Sequence, residues 1–141
     1  MSEQLAFCEI VSYKLKNIDH HKHCICIDPV QKFFLFINSN PTRSNPTGDM
    51  EIQPIGEFNF LKHKSYVNTS ALERIYQYDL ECPGEKRGKL SNQNIEILGL
   101  ILFNNKTIRI QDKKQFWKQL EDGLKERLKE FEPKRQPIPT P

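Results

Sequence analysis

Residues 24–37 read CICIDPVQKFFLFI, and this stretch decides the fold. Two short apolar runs, Cys24 to Ile27 and Phe33 to Ile37, are separated by Asp28-Pro29, a turn dipeptide whose proline has a fixed φ. Both runs read as strands. The FFLFI run is continuous rather than alternating, which predicts a strand buried on both faces. Cys24 and Cys26 alternate within the first run, so in a strand they point to one face as two small hydrophobes.

Upstream, residues 5–15 (LAFCEIVSYKL) are rich in aromatic and β-branched residues and predict another strand. Residues 17–23 (NIDHHKH) form a polar connection. Downstream, residues 38–50 (NSNPTRSNPTGDM) hold two Asn-Pro steps and a glycine, which makes them a loop, and loops this long are often functional or mobile. Short β-like segments resume over 51–69, with Ser65-Tyr66-Val67 the clearest. Ala71 to Tyr78 is expected as a short helix capped by Ser70, and 82–89 (CPGEKRGK) as a turn.

Helices dominate the last third. Ser91 serves as an N-cap and Leu90 packs on Ile95 as a hydrophobic staple. Ile95, Leu98, Ile101 and Leu102 then share a face, and Asn104-Asn105 ends the helix. Thr107 to Ile110 is expected as a final strand. Asp112 and Gln115 form a capping-box pattern opening a last helix, with the stripe Phe116, Leu120, Leu124, Leu128 and Phe131 and with Trp117 alongside. The tail 133–141 holds four prolines in nine residues and is expected to be extended and mobile. Short strands followed by late helices predict an α+β fold, one domain over 1–132.

Composition sets bounds. One domain is the natural reading of 141 residues, and a chain this long buries about two-thirds of its unfolded surface without a metal or disulfide staple. Net charge is only +3, which neither requires nor excludes nucleic acid. The cysteines (Cys8, Cys24, Cys26, Cys82) include no C-x-x-C pair, so free thiols and a cytoplasmic setting are expected. The N-terminus does not look like a signal peptide, and no run approaches the roughly 20 apolar residues of a membrane span.

Two clusters carry chemistry. His20-His21-Lys22-His23 invites a metal reading, but only His21 and His23 share a side of an extended chain and no third ligand stands ready. A solvated polar turn and an anion-facing edge are the other readings. Lys62 to Thr69 (KHKSYVNT) combines cations, an imidazole, hydroxyls and an amide. Such a set suits phosphate, with lysines for charge, hydroxyls as donors and Tyr66 to stack on a base. It also suits an edge strand guarded by lysines.

Lys22 to Pro29 (KHCICIDP) resembles the opening strand of PemK/MazF-type toxins, in which a basic residue precedes an apolar strand ending in a polar residue and proline. Glu57 to Asn68 (EFNFLKHKSYVN) resembles a segment of a divergent PemK-like subgroup. Gly88-Lys89-Leu90-Ser91 and Asn105-Lys106-Thr107-Ile108 resemble its C-terminal half, so the likeness runs in order over residues 20–120. It implies a small SH3-like β-barrel with packed helices, often a homodimer. It further implies a metal-independent endoribonuclease acting on single-stranded RNA and neutralised by an antitoxin protein. The typical toxins carry Arg where Lys22 stands, and Lys lacks the planar bidentate fork. Their Thr or Ser falls near Asn38 and Ser39, so Ser39 or Thr42 would have to substitute.

Metal-free RNA cleavage needs a base for the 2′-OH, an acid for the leaving oxygen and a cation on the phosphate. Histidine titrates near pH 6.5 and fills either proton role. His23, His63 and Ser65 are therefore the candidate catalytic residues. Lys22, Ser39, Thr42, Arg43, Lys62, Lys64, Tyr66 and Asn68 are the candidate RNA contacts, and neither metal nor cofactor is expected. The alternatives are an inactive barrel that binds nucleic acid or protein, and a last helix or tail that docks a partner chain.

Overall fold

The computed structural model describes residues 4–16, 20–42, 48–81 and 83–133; Arg43, Cys82 and the tail from 134 lie outside the described residues. Asp28 makes the central hairpin. Its side chain accepts the amides of Val30 and Gln31, both at 2.9 Å, and Lys32 adopts a left-handed φ of 63° to close the turn. This joins β2 (His21–Asp28) to β3 (Phe33–Asn38) as antiparallel neighbours.

β1 (Glu9–Lys14) pairs on the other side of β2. β4 (Met50–Ile52), β5 (Ser65–Val67), β6 (Glu73–Arg74) and β7 (Glu85–Lys89) complete one antiparallel sheet, ordered β4-β5-β3-β2-β1-β7 with β6 added to β3. The sheet curls into a half-barrel, so the fold is α+β as the sequence predicts.

The sheet buries both faces, and alternation along β3 shows how. Leu35 and Ile37 enter a large core with Ile25, Ile27, Val67 and the helices. Phe34 and Phe36 enter a second core with Val11, Tyr13, Cys24 and Cys26. Residues 75–80 cover that second face, with Ile75 and Leu80 packed into it. Cys8, Cys24 and Cys26 are buried free thiols.

α1 (Asn92–Asn104) begins where the cap signal puts it: the Ser91 hydroxyl accepts the Asn94 amide at 3.2 Å. Leu90 and Ile95 are both buried. The next elements differ from the sequence reading. Thr107 to Ile110 is no strand, because Asn105 is buried and its side chain takes the Thr107 amide at 2.9 Å, turning the chain into a helix. That helix, α2 (Ile110–Gln119), starts ahead of Asp112, which instead sits buried and accepts the Leu72 amide at 3.3 Å.

The single last helix is broken. Leu120 and Glu121 are extended, and α3 (Asp122–Arg127) restarts beyond them. The break turns the chain so that Leu120, Leu124 and Leu128 all reach one core, and each buried leucine contributes about 1.5–3 kcal/mol. Ala71 to Tyr78 is β6 followed by a 3-10 turn rather than a helix, because Glu73 and Arg74 pair with β3. The expected turn at 82–89 holds β7, whose charged residues are all exposed at the sheet edge, where charge discourages pairing with another sheet. Among the described residues no helix is long and apolar enough to cross a membrane.

Candidate functional site

A cavity of about 580 Å³ opens where the start of β2, the end of β3 and the segment Phe60–Ser65 converge. Its described lining brings together His20, His21, Lys22 and His23 from one cluster with Lys62, His63 and Ser65 from the other. Asn38, Ser39 and Asn40 complete the polar part, and no described lining residue is acidic. An excess of donors and cations without a carboxylate makes the pocket chemically suited to an anion.

Strand register explains the central histidine. His23 stands opposite Ser12 across β1 and β2, and Ser12 Oγ lies 2.6 Å from His23 Nδ1. Ser12 is buried, and Arg87 Nε of β7 donates to the same oxygen at 2.9 Å. Arg87 in turn pairs with Glu85 at 2.8 Å. The Phe60 ring packs edge-on against the imidazole, with centroids 4.9 Å apart. Burial lowers the His23 pKa, and the neighbouring Arg87, His21 and Lys22 push it the same way.

Lys22 lies on the other face of β2, where its ammonium sits 5.2 Å from the centre of the Phe36 ring and donates to Asn38 Oδ1. Burial lowers its pKa as well. His63 is exposed, and its Nδ1 is 2.9 Å from the Lys64 carbonyl. Ser65 is buried and its hydroxyl donates to the His63 carbonyl at 3.1 Å. That bond uses the proton a nucleophile would surrender.

Thr42, Lys64, Tyr66 and Asn68 are not among the residues that line the cavity. Lys64 pairs with Glu51 at 3.6 Å and lies over the Tyr66 ring. The Thr42 amide donates to Asp49 at 2.7 Å. Asn68 caps a local turn through Ser70, whose amide donates to it at 2.9 Å. Arg43 lies outside the described residues. Ser12, Phe60 and Arg87 escaped sequence reasoning. A signal existed only for Ser12, a polar residue in phase with buried Ile10 within an apolar strand.

His21 and His23 share a face of β2, but no group of three or more His, Cys, Asp or Glu among the described residues could hold a metal. The arrangement defines a curled antiparallel α+β domain with a cationic, imidazole-bearing pocket at one end of its sheet. Comparison with protein families, with curated proteins and with solved structures finds no match for this chain.

Proposed function

We propose that this pocket binds the sugar-phosphate backbone of single-stranded RNA and cuts it without a metal, in the manner of PemK/MazF-like toxins. One observation carries the reading: a cavity with no carboxylate among its described lining residues, in which an imidazole is anchored through one nitrogen while the other has no partner among the described residues. Lys62 and Lys22 supply positive charge, and Asn38 and Ser39 supply polar groups for phosphate or sugar. His63, at the same cavity, supplies a second imidazole. The curled half-barrel is compatible with an SH3-like barrel, and the buried free thiols suit a reducing cytoplasm. An antitoxin and a second copy of the chain are the partners this reading implies.

A binding module that does not cut is the second reading. It is favoured by Lys22 leaving β2 on the face opposite His23, which turns that one cation away from the imidazole. Incubating the protein with mixed single-stranded RNA in EDTA distinguishes the two. Discrete fragments ending in 2′,3′-cyclic phosphate support the enzyme. Salt-sensitive binding without fragments supports the module. Absence of both binding and cutting at low salt ends both RNA readings.

A further inference from the structure

The hydrogen-bond inventory of the pocket assigns the two histidines to opposite tautomers, and we infer that His23 presents an N–H to the ligand whereas His63 presents a lone pair. A serine hydroxyl has one proton and two acceptor positions. Arg87 has only protons to give, so its 2.9 Å bond occupies an acceptor position on Ser12 Oγ. Among the described residues Ser12 has one other hydrogen-bond partner, His23 Nδ1 at 2.6 Å.

Two arrangements fit those distances. In one, Ser12 donates to an unprotonated Nδ1, and every group is matched. In the other, Nδ1–H donates to Ser12, whose own proton then has no acceptor in a site only 2% exposed. An unmatched buried donor is costly, so the first arrangement prevails. It places the single proton of neutral His23 on Nε2. The same accounting opposes the imidazolium, because protonating Nδ1 would strand the Ser12 proton. Ser12 and Arg87 are thus positioning residues for His23.

His63 runs the other way. Its Nδ1 faces the Lys64 carbonyl at 2.9 Å, and a carbonyl can only accept. Nδ1 therefore carries the proton, and Nε2 is left as a lone pair.

The chemistry that follows rests on the RNA reading above. His63 Nε2 takes the proton of the 2′-OH as the 2′ oxygen bonds to phosphorus and the bond from phosphorus to the 5′ oxygen breaks. Water protonates the departing 5′ oxygen, and the hydroxide left behind recovers the proton from His63. His23 transfers no proton; its Nε2–H hydrogen-bonds a phosphate oxygen as charge builds there. A neutral imidazole acting as a donor is an established catalytic device.

Long-range proton–nitrogen NMR on the full chain without RNA, above pH 7.5, tests the assignment. The expected spectrum shows His23 protonated on Nε2 and His63 on Nδ1. Finding His23 protonated on Nδ1, or either ring as an even mixture, overturns it. Ser12→Ala removes the constraint while deleting one oxygen. It should turn His23 into a tautomer mixture, raise its titration midpoint toward the ordinary 6.5, and leave the His63 signals in place. An unchanged His23 in that variant denies Ser12 its positioning role. Because no RNA is present, a failed cleavage assay removes the reaction without touching the tautomers, and a wrong tautomer leaves RNA binding standing.

Discussion

Lys22 and His23, adjacent in the chain, leave β2 by opposite faces: Lys22 lies over Phe36, whereas the ring of His23 packs on Phe60. Period-two alternation forces the separation. A substitution at one of them therefore leaves the other's ring or cation packing in place, although the Lys22 charge also bears on the His23 imidazole.

Replacing Lys22 or Lys62 by Gln should weaken single-stranded RNA binding and flatten its salt dependence. Each lost phosphate contact lowers the logarithmic salt slope by about 0.7 for a single strand. Fluorescence anisotropy across a salt series measures it. An unchanged slope in both variants would place the phosphate elsewhere.

His63→Ala should separate cutting from binding. Loss of a general base costs about 10²–10⁴-fold in rate, while RNA affinity should stay within a few fold. Single-turnover cleavage and anisotropy on the same preparation provide both values. Equal losses in the two would make His63 a binding group.

Leu120 sits between α2 and α3 and is buried at 4% exposure. Leu120→Ala should destabilise the domain by about 2–5 kcal/mol, the usual range for a buried leucine. A urea unfolding midpoint equal to that of the parent would show that the α2–α3 corner adds nothing to the core.

Glu57 links the turn before β5 to the start of α1. Burial alone would raise its pKa, but hydrogen bonds from Asn94 and Ser91 outweigh this and hold the carboxyl below its ordinary value. A folded pKa lowered in this way adds stability that is fully present above the unfolded value of about 4.3 and is lost as pH falls through the folded one. Unfolding curves between pH 6 and 3 should therefore be flatter with pH for Glu57→Gln than for the parent. Parallel curves would remove Glu57 from the acid response.

The sequence exposed the parts of the fold whose signals are local. The Asp28-Pro29 turn, the doubly buried FFLFI strand and the Ser91 cap each depend on a few neighbouring residues, and each appears in the structure. What was illegible depends on distant partners. Glu73 and Arg74 form a strand because β3 offers an edge there, and the α2–α3 break is set by the core the leucines must reach. The candidate site divides in the same way. The two Lys-His clusters are visible as composition, but Ser12 and Arg87 enter only once β1 and β7 are paired. Composition likewise cannot say that Lys64 and Tyr66 fall outside the cavity.

β7 is an edge strand: it is paired to β1 on one side, its register shifts between Ile10 and Val11, and Gly88 takes a φ of 145°. Edge strands fray before central ones, opening at a fraction of the global unfolding free energy. Arg87 is carried on that strand, so opening it would withdraw the guanidinium from Ser12, the residue that holds His23 Nδ1. The proton placement of an imidazole in a central strand thus depends on the integrity of an edge two strands away.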